Sequence, residues 1–185
     1  MPLVAIIDDK ICCLHGGIGV NFTSIDDLMK INRPLEIIKE PNSIEQNIVL
    51  DILWSDHAES DDQIGFNINS NRNFQKTNTI VKYGYDKMAQ FLKENKLNLV
   101  IRSHECIMDG FERTSRGMVI YLISATNYCG QFGNSASILV IQKNSELVPK
   151  IIMNTEKHDF KLWLTENELQ RKIQITPLKS RQITK

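Results

Sequence analysis

A mixed α/β fold of the α+β kind, in which helices layer a sheet whose loops gather polar residues at one edge, follows from three features of the sequence. Residues 85–96, YDKMAQFLKENK, carry Met88, Phe91 and Leu92 at helical period, then switch at 97–103, LNLVIRS, to strand composition. Two short apolar runs, LVAIID at 3–8 and ICCL at 11–14, flank Asp9-Lys10 and predict a strand, a tight turn and a second strand. Three more strand candidates, GMVIYLIS at 117–124, ASILVIQ at 136–142 and LVPKIIM at 147–153, lie close enough in sequence to form an antiparallel meander.

In chain order, the first strand pair ends at His15, and Gly16-Gly17 then let the backbone approach a metal or phosphate closely. The segment 24–31, SIDDLMKI, opens on a Ser cap, spaces Ile25, Leu28 and Met29 as a helix does, and is stopped by Pro34. Residues 43–54, SIEQNIVLDILW, join a Ser-x-x-Gln capping pattern to a strong apolar face and predict a second helix. From 55 to 79 the chain is polar and almost without aliphatic periodicity, which predicts a long loop with Arg72 as its only arginine. Long ordered loops in compact domains are disproportionately functional, while a solvated insertion is the alternative of equal weight on composition. Beyond 154 the pattern fades to one amphipathic candidate around Phe160, Trp163 and Leu164 and a basic end. The chain therefore divides into a domain over 1–153 and a tail over 154–185.

With 185 residues and a hydrophobic share of 42%, one domain with a sizeable core is expected. Lys+Arg 22 against Asp+Glu 22 excludes bulk attraction to nucleic acid or anionic lipid, so neither nucleic acid nor membrane is an expected partner. No apolar run approaches about 18 residues, and the start MPLVAIIDDK lacks the basic region and apolar core of a secretory signal. The four cysteines, Cys12, Cys13, Cys106 and Cys129, have no CxxC spacing. They predict reduced thiols in a cytoplasmic and/or nuclear protein, not a zinc knuckle or a disulfide framework.

His15 and His104 each stand where an apolar strand runs out into a loop, in KICCLHGGIG and LVIRSHECIMDG. The turn SATNYCG at 124–130 repeats the layout with Tyr128 and Cys129. Neutral imidazoles at strand ends are a common way to hold a divalent metal at the rim of a sheet, although a single histidine there is more often a hydrogen-bonded structural residue. Spacing alone does not choose between the two.

The runs LHGGIG, DILWSD, RSHECIMDGFER and SATNYCG, in that order, resemble the C-terminal half of the phosphoprotein phosphatase family of metal-dependent Ser/Thr phosphatases, over about residues 3–153. HGGIG, INRPLEI and HECIMDGFER are most similar to the subgroup with N-terminal kelch-like repeats. The resemblance implies part of a metallophosphoesterase β-sandwich flanked by helices, with its first half missing. It implies hydrolysis of phosphoserine and phosphothreonine monoesters by a water activated between two divalent ions, Mn, Fe or Zn, roughly 3.5–4 Å apart. It also implies that His15 and His104 are ligands of the second ion, so that this chain supplies ligands for one metal. Arg72 is the implied phosphate-gripping arginine, Tyr128 borders the phosphate site, and Cys129 lies beside it. A planar bidentate guanidinium suits a phosphate better than an ammonium does.

Implied partners are phosphoprotein substrates and regulatory subunits. Leu99 matches a groove residue that binds regulatory motifs, but Arg113 falls where an aromatic is expected. Other departures are His57 in place of the proline of WSDP, Asn73 in place of glycine after the arginine, and Thr126 in place of proline. The first-half signatures GDxHG, GDxxDRG and GNHE do not occur, which implies a fragment with about half of the catalytic apparatus. The competing reading is a catalytically inactive regulatory or scaffold module derived from a phosphatase domain.

Overall fold

The computed structural model describes residues 1–35, 41–72 and 79–153; the tail over 154–185 and Asn73 lie outside the described residues. The described chain forms two compact units, Met1–Glu105 with Glu112–Tyr121, and Cys106–Phe111 with the described part of Leu122–Lys185.

In the first unit, β1 (Ala5–Ile7) and β2 (Ile11–Cys13) pair antiparallel, with Ile7 opposite Ile11. Asp8 and Asp9, at φ 49° and 51°, turn the chain, and the Lys10 N–H bonds the Ile7 carbonyl at 3.0 Å. Two left-handed central residues match the twist of the flanking strands, and Asp tolerates that backbone better than most residues. The helix expected over 24–31 is a 3-10 helix, Ile25–Lys30, capped by Ser24 Oγ at 3.2 Å from the Asp26 N–H. With Pro34 so close, the segment is too short to propagate α-helical bonds.

Helix α1 (Ile44–Trp54) begins as its capping pattern predicts, with Ser43 Oγ accepting from the Gln46 N–H at 3.3 Å. The reciprocal bond lands one residue early, because Gln46 Oε1 accepts from the Asn42 N–H at 2.9 Å. Ile48, Val49 and Ile52 bury its inner face.

The stretch 55–79 departs from the expected loop: it contains β3 (Asp56–His57) and β4 (Phe66–Ile68). Both pair with β5 (Val81–Tyr83), β3 in parallel and β4 antiparallel, in the order β3-β5-β4. Strands of two or three residues show no readable alternation, and β3 finds its partner only after the chain has returned.

Helix α2 (Tyr85–Glu94) buries Met88, Phe91 and Leu92 as expected. It leads to β6 (Leu99–Arg102), then β7 (Phe111–Thr114) and β8 (Val119–Leu122). These strands and the first pair make a five-stranded sheet in the order β1-β2-β6-β8-β7, with β6 parallel to both β2 and β8. The meander does not form, because β8 joins this sheet in parallel with β6. Leu99 is wholly buried there.

In the second unit, β9 (Ala136–Ile141) and β10 (Leu147–Ile152) form an antiparallel hairpin, with Leu147 opposite Ile141. The turn at 124–130 is organised by the buried Asn134, whose Oδ1 accepts from the Tyr128 N–H and whose Nδ2 donates to the Ala125 carbonyl, both at 2.8 Å. That amide supplies the restraint that Thr126 lacks relative to proline. Among the described residues no helix is long and apolar enough to cross a membrane.

Candidate functional site

Parallel pairing of β2 with β6 is what brings residues 89 positions apart together. Cys13 lies opposite Ile101, so both strands run out at the same edge of the sheet, where open α/β sheets present their ligands. The Ser103 N–H bonds the His15 carbonyl at 3.0 Å and ties the two exit loops together. His15 Nε2 then stands 2.9 Å from His104 Nδ1, with ring centroids 4.7 Å apart and edge to face. The Trp54 ring, closing α1, meets the His104 ring at 5.4 Å.

Two features hold these rings. His104 takes a left-handed backbone, φ 68°, which turns the chain sharply at the strand end. Gly16 and Gly17 lie so tightly that a Cβ on the first would meet Leu53 and Ser55 backbone atoms at 2.9 Å, and one on the second the Tyr83 ring at 2.1 Å. Their N–H groups bond the Ile52 carbonyl near the end of α1, at 2.7 and 3.3 Å.

Beside the histidines, Asp56 gathers three donors. Oδ1 accepts from Arg102 Nη2 at 3.0 Å; Oδ2 accepts from Arg72 Nε at 3.0 Å and Asn69 Nδ2 at 2.9 Å. Arg102 is 1% exposed, lies over the Tyr121 ring at 4.6 Å, and its other terminal nitrogen bonds the Glu105 carboxylate. His104 Nε2 sits 3.9 Å from Asp56 Oδ1, too far for a hydrogen bond, and is a buried nitrogen without a hydrogen-bond partner among the described residues.

Electrostatics follow from this crowding. Burial, reinforced by the positive charge of Arg72, pushes His104 down to about 4 against the pull of Asp56. His15 is lowered by burial and by the charges of Arg102 and Arg72. Burial would raise Asp56, but the Asn69 and Arg72 hydrogen bonds and both guanidinium charges outweigh it and hold the carboxyl below its usual value. Near neutral pH the site is two neutral imidazoles beside a carboxylate that carries two guanidinium groups.

The structure thus brings together His15, His104 and Arg72. Tyr128 lies in the second unit, 50% exposed and 5.9 Å from the Phe132 ring, with Cys129 exposed beside it. The sequence reading missed Asp56, Asn69, Arg102 and Glu105. One signal was legible: a cation closing the otherwise apolar run LVIR needs a counter-charge when that strand is buried.

Comparison with known proteins gives this geometry its context. The family model for calcineurin-like phosphoesterases matches residues 1–108. The chain belongs to that family. A curated relative of this phosphoesterase, serine/threonine-protein phosphatase BSL2 of Arabidopsis thaliana, is 37% identical over 182 residues. The alignment covers 92% of this chain and 17% of that protein, so the chain spans a small part of the relative's length. A solved structure, described as a protein serine/threonine phosphatase from Saccharomyces cerevisiae with similarity to human phosphatase PP5, superposes with a TM-score of 0.68. At 22% identity over 86% of this chain and 49% of that one, the likeness is one of fold.

Membership implies divalent metal ions. Among the described residues no group of three or more His, Cys, Asp or Glu side chains stands ready to hold one. The histidine pair nevertheless fits as part of a ligand set. Nitrogens bound at about 2.1 Å on adjacent corners of an octahedron lie about 3.0 Å apart, close to the 2.9 Å seen. Two neutral ring nitrogens at that distance share either a proton or a cation.

Proposed function

We propose that this phosphoesterase chain carries the metal-binding and phosphate-orienting half of a Ser/Thr protein phosphatase acting on phosphoserine and phosphothreonine monoesters. The observation that carries the reading is the pair of imidazole nitrogens 2.9 Å apart beside two guanidinium groups anchored on one carboxylate. Identity of 37% to a Ser/Thr phosphatase supports the substrate class, and phosphoprotein substrates follow from it. When bound, divalent ions, of which Mn, Fe and Zn suit imidazole ligands, lower the pKa of a coordinated water and neutralise phosphoryl charge.

His15 and His104 would hold one such ion, through Nε2 and Nδ1. Depressed basicity keeps both rings in the neutral, ligating form near neutral pH. Arg72, 27% exposed and anchored through Nε among the described residues, offers its terminal NH2 groups to phosphate oxygens, whereas Arg102 is committed to Asp56 and Glu105. Cys12, Cys13, Cys106 and Cys129 are all free thiols, which suits the cytoplasm and/or nucleus.

The test combines the chain with Mn2+ and the first half of a relative's phosphatase domain, and measures hydrolysis of a phosphoserine peptide. The mixture turns over, the isolated chain does so negligibly, and His104→Ala abolishes turnover while lowering Mn2+ affinity by about tenfold or more. Full turnover by the isolated chain, or by the His104→Ala mixture, overturns the reading.

A further inference from the structure

A second buried histidine lies one residue from the carboxylate that organises the site. His57 Nε2 is 2.5 Å from Ser115 Oγ, and a backbone hydrogen bond to Ala58 steadies the ring, which meets the Tyr83 ring edge to face at 5.5 Å. A serine hydroxyl on an imidazole invites a nucleophilic reading, but Ser115 is 1% and His57 5% exposed, so no substrate reaches them.

Their place in the fold suggests a different task. Asp56 and His57 are the whole of β3, and successive strand residues point to opposite faces. The face that fixes His57 therefore fixes the direction of Asp56. The anchor is itself heavily restrained. Ser115, Arg116 and Gly117 are consecutively left-handed at φ 52°, 52° and 89°. Two non-glycine residues keep that backbone only where their surroundings impose it. Here the Arg116 guanidinium lies 4.1 Å from the Tyr85 ring centroid, and Arg113 Nε and the Met118 N–H bond the Gly117 and Ser115 carbonyls at 3.0 Å. On the far side, the Tyr83 hydroxyl reaches the Gly16 carbonyl at 3.5 Å.

We infer that His57 and Ser115 are positioning residues: their hydrogen bond locks the rotation of β3 and thereby holds the Asp56 carboxylate where it can carry Arg72 and Arg102 together. A proline at position 57 has no side-chain nitrogen to make this tie. The consequence for phosphate rests on the proposed function; the consequence for Arg72 does not.

The full 185-residue chain tests both. In 15N NMR the Arg72 Nε–H, bonded to Asp56, gives a slowly exchanging signal in the wild type. Ser115→Ala, which deletes a single oxygen, and His57→Ala both broaden or lose that signal, and His57→Gln, which returns an amide nitrogen near Nε2, restores it. An unchanged signal in both alanine variants overturns the inference, as does failure of His57→Gln to restore it in a chain whose melting temperature matches the wild type. Affinity for inorganic phosphate with Mn2+ present falls about tenfold in step with the signal. Should phosphate affinity be indifferent even to Arg72→Ala, the phosphatase reading fails while the NMR result still decides the positioning role.

Discussion

Two buried carboxylates five residues apart in the run DILWSD meet opposite fates. Asp51, 1% exposed on α1, accepts backbone N–H bonds from Asn21 at 2.7 Å and Phe22 at 3.0 Å, and burial still pushes it up to about 6. Asp56, 3% exposed, sits lower than its usual value because Asn69, Arg72 and Arg102 surround it. At Asp51 backbone dipoles soften the desolvation of the carboxylate without cancelling it, whereas at Asp56 the Asn69 amide together with two guanidinium groups outweighs it. Asp51 accordingly reads as a clamp on the loop after the HGG turn, and Asp56 as the organiser of a charged site.

Asp56→Ala should give the largest effect, because it leaves Arg102 buried with only Glu105 as counter-charge. Breaking one partner of a buried pair costs about 3–5 kcal/mol, read as a lowered urea midpoint. A loss under about 1 kcal/mol would place Asp56 in the class of surface ion pairs and dissolve the contrast.

Next comes pH. Asp51 has a folded pKa of about 6 against 3.8, so the folded state binds the extra proton and stability falls as pH climbs between those values, by about 3 kcal/mol. Asp56 has a depressed folded pKa, so its contribution is present above 3.8 and lost as pH falls through the folded value. His104, held near 4 against 6.5, also removes stability as pH falls through that interval. Asp51→Asn isolates the first effect: unfolding curves at several pH values between 4 and 7 should show the variant gaining on the wild type as pH rises. A constant difference would mean that Asp51 does not titrate there.

The smallest effect on stability is expected from Arg72→Gln, since a partly exposed ion pair is worth about 1 kcal/mol or less. The same change should weaken phosphate binding strongly, and equal loss in both measurements would make Arg72 a structural partner of Asp56.

Legibility in the sequence followed the range of the interactions. The rims at His15 and His104 are readable because each follows an apolar strand run, α1 because its cap is local and α2 because its periodicity is. The β3-β5-β4 sheet is not, since two-residue and three-residue strands in an Asn-rich stretch acquire their order from pairing across 13 to 26 positions. Asp56 stands within the DILWSD run, but its role depends on Arg102 and Arg72 arriving from elsewhere. Apolar composition marks β8 as a strand but does not specify its neighbour, which is β6 in parallel.

The doublet Gly16-Gly17 presses bare main chain against the carbonyl end of α1 and the face of Tyr83. A saturation library should therefore tolerate nothing larger than hydrogen at either position, even though neither residue offers a functional group. The imidazole just before them takes its heading from the helix they lean on, so the approach of His15 to His104 is set in part by two residues with no side chain at all.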